Sequence, residues 1–259
     1  MIYYPLSTLL LSGIREILLI CTPLHLDHFK RILSDGKQWG IEIKYKCQEN
    51  PDGIAQALLI AEEFLEGSPM CLILGDNLFY GDDLTNKLRL ANNSTEGGTI
   101  FAYQVSDPSR YGIVYFDKNK QVTEIEEKPS NPKSNFAITG IYYYSNSVIE
   151  IARDLKPSKR GELEITDVNK ILLSEGKLNV QVLRRGMAWL DTGTFDSLHE
   201  ASAFIQTIEK RQDLKIGCPE EIVWKLNYIN DEKLKEFSES YSSSSYGQYL
   251  SKLLENRKD

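Results

Sequence analysis

The stretch "MCLILGDNLFYG", residues 70–81, places a single carboxylate directly after an apolar run. Met70 to Leu74 are all apolar, and Gly75 and Asp76 follow them. A short apolar run that ends at a glycine is typical of a strand buried on both faces. Ligands of open α/β sheets lie beyond the carboxyl ends of the strands, so Asp76 stands at a position suited to binding one.

Strands and helices alternate on both sides of this run. Four segments of the first half read as strands: 14–20, 41–46, 70–74 and 98–105. Helices are predicted between or before them at about 5–12, 24–34, 83–92 and in a segment after Asp52, which we take as its N-cap. Strand–helix–strand spacing of this kind predicts βαβ units and a parallel, doubly wound sheet.

The second half changes character. "YGIVYFD" and "QVTEIEEK" predict a hairpin, and further strands are expected at 135–145, in "LNVQVLRR" and in "MAWLD", residues 187–191. Short helices are predicted at about 147–154 and 165–174, and the chain from about 194 onward reads as helices. We therefore expect one domain over residues 1–259, with an α/β core at 1–193 and a helical extension at 194–259.

Composition argues against several function classes. The 259 residues carry a formal net charge of −7 and contain no basic block, which is unfavourable for binding nucleic acid or a membrane surface. Gly13, Arg15 and Glu16 interrupt the apolar N-terminus well short of a membrane span. The four cysteines form no C-x-x-C pair, which favours reduced thiols in a cytoplasmic protein.

Asp191 repeats the pattern of Asp76, because it also ends an apolar strand. Two carboxylates delivered to the same sheet edge would form a plausible Mg²⁺ site, since Mg²⁺ is held by one or two carboxylates together with substrate phosphates. Two unrelated surface acids at strand ends would give the same pattern.

"QENPDGIAQALLI", residues 48–60, joins a polar turn to a helix. A helix N-terminus presents unpaired N–H groups that suit an anion or a base edge. The Gln48 amide before the turn can both donate and accept at a nucleobase. An ordinary capping turn explains the same residues.

Two further positions carry possible binding chemistry. Lys128, in "EEKP" at 126–129, could hold a phosphate as a point charge, or it could belong to a solvated charge cluster. Trp189 faces the same side of its strand as Asp191 and could pack under a sugar or within the core.

Taken together, these stretches resemble the glucose-1-phosphate thymidylyltransferases over essentially the whole chain. The motifs occur in the family's order: "PDGIAQA", "LGDNLFYG", "RYGIVYFD", "EEKP", "ITGIYYY", "RGELEITDVN" and "WLDTGT". The resemblance implies a Rossmann-like nucleotidyltransferase fold with a mixed, mostly parallel central sheet flanked by helices, usually assembled as a tetramer. It also implies that dTTP and glucose 1-phosphate are joined with Mg²⁺, with release of pyrophosphate.

The resemblance assigns roles to individual residues. Asp76 and Asp191 would bind the metal and, with Lys128, form the catalytic set. Gln48 and Gly53, together with Asp76, would bind the nucleotide, with the first two reading the thymine edge. The sugar-binding set would be Tyr111, Gly112, Glu127, Lys128, Ile138 and Trp189.

One departure from the family pattern affects the expected activity. The family begins with a strand and a G-G-x-G-T-R-L loop that cradles the triphosphate, and neither occurs in this sequence. We therefore expect an N-terminally truncated copy with little or no thymidylyl transfer, and a gap between strands 14–20 and 70–74 where that strand would lie. The alternatives are a non-catalytic remnant that folds, oligomerises or binds nucleotide weakly and, more distantly, a UTP-dependent pyrophosphorylase.

Overall fold

The computed structural model of the chain describes residues 1–94 and 96–256. Their strands are Glu16–Cys21 (β1), Glu42–Cys47 (β2), Met70–Ile73 (β3), Asn77–Gly81 (β4), Gly98–Gln104 (β5), Gly112–Phe116 (β6), Val122–Glu127 (β7), Phe136–Tyr144 (β8), Leu178–Val182 (β9) and Met187–Asp191 (β10). Their α-helices are Tyr3–Leu11 (α1), Pro23–Leu33 (α2), Gln56–Leu65 (α3), Leu84–Asn92 (α4), Val148–Asp154 (α5), Ile165–Ser174 (α6), Phe195–Gln212 (α7), Pro219–Lys225 (α8), Asp231–Ser240 (α9) and Ser245–Asn256 (α10).

The longest strand, β8, organises the main sheet. Its sequence "FAITGIYYY" is buried at every position after the first, as expected for a strand covered on both faces. It pairs with β5 along one edge, and with β6 and β3 along the other. β7 continues the sheet beyond β6, and β9 continues it beyond β5.

The sheet is mixed, as expected, but the prediction that it is mostly parallel is wrong. Among the described residues, parallel pairing occurs in β1–β2 and β5–β9, and the other five strand pairs are antiparallel. The reason is β8, which follows the β6–β7 hairpin and inserts between β3 and β5. Those two strands run in the same direction, but each is hydrogen-bonded to an antiparallel neighbour.

Strand β4 is a second departure from the sequence-based expectation. Directly after Asp76 the chain continues as a strand that pairs antiparallel with β10, with Asn77 opposite Asp191 and Phe79 opposite Trp189. Its five residues are too short for a clear period, and its partner lies more than a hundred residues away in sequence. This ladder places the end of β10 beside the end of β3.

The predicted gap between the first and third strands is confirmed. β1 pairs with β2 in a separate two-stranded sheet, and within residues 1–94 and 96–256 no backbone hydrogen bond joins β1 to β3. A cavity of about 220 Å³ lies between these strands under α3, and a second of about 120 Å³ lies on the α1 side. We refer to this space, bounded by β1, β3, α1 and α3, as the slot.

Four helices occupy most of the chain between Phe195 and Asn256, as predicted. α8, α9 and α10 pack around a small core of Cys218, Trp224, Leu234, Tyr249 and Leu250. All four cysteines are free, and Cys218 is fully buried whereas the other three are half-buried. No helix in the described ranges has the length and apolar character needed to cross a membrane.

Candidate active site

A cavity of about 240 Å³ lies where β4, β7, β8, β10 and the segment after β3 present polar side chains. Eight of the ten residues singled out from the sequence line it: Asp76, Tyr111, Gly112, Glu127, Lys128, Ile138, Trp189 and Asp191. The other two, Gln48 and Gly53, are not in the lining, although Ile54, the neighbour of Gly53, is.

Asp76 and Asp191 meet at the junction of β4 and β10. Thr192 holds the Asp76 carbonyl oxygen through its backbone N–H at 3.0 Å and its hydroxyl at 2.8 Å. A methyl group at Gly193 would lie 3.1 Å from Oδ1 of Asp191 and 3.4 Å from Oδ2 of Asp76, so these oxygens are at most about 6.5 Å apart. Such a separation can be spanned by one cation with ligand bonds of about 2.1 Å after small side-chain movements.

The described residues contain no cluster of three or more His, Cys, Asp or Glu side chains that could hold a metal. A pair of carboxylates is nevertheless the usual protein share of a Mg²⁺ site, because substrate phosphates and water supply the remaining oxygens. The donor set of Asp76 and Asp191 therefore fits a divalent cation that arrives with a phosphate ligand.

Tyr111 and Arg110 border the Asp191 carboxylate. The Arg110 guanidinium lies 3.5 Å from Oδ2 of Asp191. Burial, and then the negative charge of Asp191, raise the pKa of Tyr111 to about 12. The Tyr111 hydroxyl therefore stays protonated, while its ring packs edge-on against Trp189 at 5.1 Å between centroids.

Glu127 places a carboxylate on the opposite side of the cavity. Its Oε2 accepts a hydrogen bond from the Thr166 hydroxyl, and its Oε1 lies 3.6 Å from the Arg160 guanidinium. Burial raises the pKa of Glu127, although the Thr166 hydrogen bond and the nearby cations oppose this shift. The side chain is thus an acceptor held at a fixed position and directed at the cavity.

Gly112 is the register partner of Glu127, and its lack of a side chain keeps this part of the cavity open. A methyl group at Gly112 would lie 2.9 Å from the Thr166 hydroxyl, 3.2 Å from Oε2 of Glu127 and 3.4 Å from Cδ1 of Ile138. A larger residue at this position would therefore occupy the space next to the acceptor carboxylate.

Lys128 follows β7 in a left-handed backbone conformation, with φ of 43°. Its backbone N–H donates to the Tyr111 carbonyl at 3.0 Å, which fixes the turn. Among the described residues its ammonium group makes no hydrogen bond or ion pair. An unpaired cation at a cavity wall is available to an anionic ligand.

Sequence reasoning missed several polar residues that line the cavity, among them Arg110, Arg160 and Thr166. Arg160 pairs with Glu162 at 2.8 Å and with Glu164 at 3.5 Å, in addition to Glu127. Arg160 and Thr166 lie within "RGELEITDVN", which was recognised as a motif without a role for either residue. Their shared contact with Glu127 is visible once α6 is placed beside β7.

Gln48 and Gly53 lie together outside the lining of the cavity. The Gln48 side-chain amide donates to the Gly53 carbonyl at 3.2 Å and to Oε1 of Gln56 at 2.6 Å. Gly53 adopts φ of 108°, and a methyl group there would approach the Leu163 backbone to 2.4 Å. This position therefore requires glycine for both conformation and space.

The prediction that Asp52 caps the following helix is wrong. α3 begins at Gln56 with Ala55 as its N-cap. The Asp52 side chain instead accepts from the Gln56 amide at 3.0 Å, and its carbonyl accepts from the Leu163 N–H at 2.7 Å. The turn is longer than predicted because it docks on the segment before α6 before the helix starts.

Comparison with known proteins shows the family to which the chain belongs. Residues 1–208 match the family model for nucleotidyl transferases. Three curated glucose-1-phosphate thymidylyltransferases are 51–53% identical, from Neisseria meningitidis, Xanthomonas campestris and Mycobacterium tuberculosis. Each match covers 98% of this chain and 86–88% of the relative. The chain belongs to the glucose-1-phosphate thymidylyltransferase group of the nucleotidyl transferase family. Membership implies a nucleoside triphosphate and a sugar phosphate as substrates, and a divalent metal.

Two solved structures share the fold. A Bacillus anthracis protein assigned as a glucose-1-phosphate thymidylyltransferase, crystallised with sucrose, is 38% identical. It superposes with a TM-score of 0.72 over 78% of this chain and 81% of its own. A UDP-glucose pyrophosphorylase bound to UDP-glucose is 20% identical, with a TM-score of 0.66 over 80% of this chain and 86% of its own, and it shares the fold.

Proposed function

We propose that this chain is a glucose-1-phosphate thymidylyltransferase, which converts dTTP and glucose 1-phosphate to dTDP-glucose and pyrophosphate. The observation that carries the proposal is the single cavity in which a carboxylate pair, Asp76 and Asp191, faces a sugar-sized recess bordered by Glu127 and Lys128. The product would enter dTDP-sugar synthesis, typically that of dTDP-rhamnose.

The recess supports recognition of a sugar phosphate. The Glu127 carboxylate can accept hydrogen bonds from two vicinal hydroxyl groups, and Gly112 leaves space for the ring beside it. Ile138 and Trp189 supply an apolar surface for the sugar carbons. The cations of Lys128 and Arg160, both in the cavity lining, would bind the phosphate.

The edge formed by Gln48 and Gly53 supports recognition of a thymine base. Within the described residues neither Oε1 of Gln48 nor the N–H of Gly53 makes a hydrogen bond. An acceptor beside a donor matches the N3–H and the adjacent carbonyl oxygen of thymine. Uracil offers the same two groups, so selection of dTTP would depend on contacts to the methyl group and the deoxyribose.

Asp76 and Asp191 would hold Mg²⁺, which when bound neutralises charge on the triphosphate. Their carboxylates are positioned by the β4–β10 ladder before any substrate arrives, so the site needs little reorganisation. Arg110, 3.5 Å from Asp191, restrains that carboxylate and adds a cation at the same edge.

The chemical step requires positioning more than a protein nucleophile. A phosphate oxygen of glucose 1-phosphate attacks the α-phosphorus of dTTP in line, a P–O bond forms, and the bond to pyrophosphate breaks. The phosphate monoester is already an anion, so no general base has to remove a proton. Lys128 and Arg160 would hold the attacking phosphate. The carboxylates of Asp76 and Asp191 would hold the cation at the triphosphate.

The resemblance to the family also supports assembly as a homo-oligomer, a tetramer, in the cytoplasm. Light scattering of the eluting protein during size-exclusion chromatography measures its mass in solution. A mass of about 30 kDa would contradict the oligomer, since one chain is 29.6 kDa.

Pyrophosphate release by purified chain 1–259, with glucose 1-phosphate and each of dTTP, UTP and ATP, tests the proposed activity. We expect dTTP-dependent release that requires the sugar phosphate. This replaces the expectation of little or no transfer, because relatives that match 98% of the chain at 51–53% identity are thymidylyltransferases. Release with UTP but not dTTP would move the chain to a different pyrophosphorylase class. The second candidate expected from the sequence is a nucleotide-binding protein without turnover. Saturable dTTP binding without pyrophosphate release would support that candidate and overturn the proposed function.

A further inference from the structure

Asn77, which sequence reasoning did not single out, forms three hydrogen bonds with its side chain inside the cavity wall. The residue is 2% exposed. Its Nδ2 donates to Oδ1 of Asp76 at 2.8 Å, and its Oδ1 accepts from the Gly140 N–H at 3.1 Å and from the indole N–H of Trp189. Its bonds thus join β4, β8 and β10.

The two donors determine which way the amide faces. Since Gly140 and Trp189 both present an N–H, the oxygen of Asn77 must point toward them and its NH₂ group must point toward Asp76. The NH₂ group of Asn77 thus donates its hydrogen bond to Oδ1 of Asp76. The other oxygen, Oδ2, is the one that lies beside Gly193 on the Asp191 side.

Gly140 makes this arrangement possible. A methyl group at Gly140 would lie 2.5 Å from Oδ1 of Asn77, so a larger residue would displace the amide. The carbonyl of Gly140 accepts from the Leu74 N–H at 2.9 Å, which ties the same point of β8 to the segment just before Asp76. Gly140 therefore fixes both the backbone just before Asp76 and the side chain of Asn77.

We propose that Asn77 is a positioning residue for the cation site, which orients the Asp76 carboxylate so that Oδ2 faces Asp191. Gly140 and Trp189 in turn orient Asn77. The same indole borders the sugar recess, so the hydrogen bonds link the sugar wall to the cation-binding acid. This inference rests on the proposed function in one respect, the role of Asp76 as a metal ligand. Outer hydrogen-bond partners of ligating carboxylates commonly change metal affinity about 10- to 100-fold when they are removed.

Electron paramagnetic resonance titration with Mn²⁺ alone tests the proposal independently of turnover. Asn77→Leu preserves the approximate size and removes the donor, so we expect the Mn²⁺ dissociation constant to rise about 10- to 100-fold. Asn86→Leu is the matched control, because exposed Asn86 also donates its amide to an aspartate, Asp83, at 3.0 Å but lies outside the cavity. A folded Asn77→Leu protein with wild-type Mn²⁺ affinity would overturn the proposal.

Trp189→Phe tests the positioning role of Asn77 if Asn77→Leu does not fold. It keeps an aromatic ring and removes one of the two donors that orient Asn77, so we expect a smaller rise in the Mn²⁺ dissociation constant, about two- to tenfold. An unchanged Mn²⁺ dissociation constant in Trp189→Phe would then overturn the proposal. Failure of the proposed function is distinguishable, because it would appear as absent dTTP turnover in the wild-type chain whatever the Mn²⁺ titrations give.

Discussion

The proposed sugar-binding and nucleotide-binding surfaces, called here the sugar wall and the nucleotide wall, are built differently. The sugar wall is formed by Tyr111, Gly112, Glu127 and Ile138. The last three lie on strands that are paired within the six-stranded sheet, and Tyr111 directly precedes one of them. The nucleotide wall, formed by Gln48 and Gly53, follows β2, which belongs to the separate two-stranded sheet. The slot separates the two sheets along β1 and β3.

This difference shows two ways to hold a binding group. Glu127 is fixed by its cross-strand register with Gly112 and by the Thr166 hydroxyl. Gln48 is fixed by a turn, through hydrogen bonds to Gly53 and Gln56. Substitutions in the sugar wall should therefore change local recognition, whereas the nucleotide wall should also respond to how the slot is packed.

The largest effect is expected at the carboxylate pair of Asp76 and Asp191. Asp76→Asn and Asp191→Asn each remove half of the carboxylate pair, and we expect kcat to fall at least 100- to 1,000-fold, the loss typical of one group in a preorganised site. Steady-state pyrophosphate release measures it. Asp196→Asn, an exposed change five residues from Asp191, is the control and should retain wild-type kcat. Near-normal turnover in either cavity variant would show that the carboxylate pair is not required for the reaction.

The sugar wall should show the next largest effect. Glu127→Gln loses a charged acceptor, worth about 1.5–3 kcal/mol, so the KM for glucose 1-phosphate should rise about 10- to 100-fold. The KM for dTTP should stay within about twofold of its wild-type value if the walls act separately. Initial-rate kinetics with each substrate varied in turn measure both KM values. If both rose together, the two walls would not act separately.

The pH dependence of the same residue gives a further test. The raised pKa of Glu127 means that the carboxylate takes up a proton at a higher pH than an ordinary glutamate does, and protonation removes acceptor capacity. The kcat/KM for glucose 1-phosphate should therefore fall as pH is lowered through a value above about 4.3, the ordinary pKa of glutamate. Glu127→Gln should abolish that acidic limb, and a limb that persists would have to come from another group.

A smaller effect is expected in the nucleotide wall. Gln48→Ala removes neutral hydrogen bonds worth about 0.5–1.5 kcal/mol each, so the KM for dTTP should rise about 2- to 10-fold. The KM for glucose 1-phosphate should not change. Isothermal titration with dTTP alone is the independent check, and equal affinity in the variant would assign base recognition to other residues.

The smallest effects concern packing. Ala61 lines the larger cavity of the slot, between β1 and β3. Ala61→Leu should fill part of it and raise the free energy of unfolding by about 0.5–2 kcal/mol. Ala102, fully buried in β5, has no such space, and Ala102→Leu should cost about 1–3 kcal/mol. Thermal melting should show opposite signs, about 2–4 °C per kcal/mol at this size. Destabilisation by both changes would show that the slot is already closed by packing.

Local patterns in the sequence located most elements and most of the cavity. The buried run of β8, the β6–β7 hairpin and the helices after residue 194 follow from period and turn residues that act within a few positions. Asp76 and Asp191 follow from a carboxylate placed after an apolar strand, and the family motifs supplied the sugar-wall residues.

What the sequence did not predict depends on contacts between distant segments. The position of β8 between β3 and β5 made antiparallel pairing the majority, and β4 was missed because its partner β10 is remote in sequence. No local pattern marked Asn77, because its role depends on the Trp189 and Gly140 donors around it. Docking of the Asp52 turn on Leu163 likewise delayed the start of α3.

A cation shared by Asp76 and Asp191 is the central claim, and a crystal of the chain soaked in Mn²⁺ with dTTP tests it most directly. We predict one strong anomalous peak between the two carboxylates, about 2.1 Å from an oxygen of each and in contact with the triphosphate. Peaks that contact one carboxylate alone, or a nucleotide bound with its phosphates away from this pair, would contradict the account.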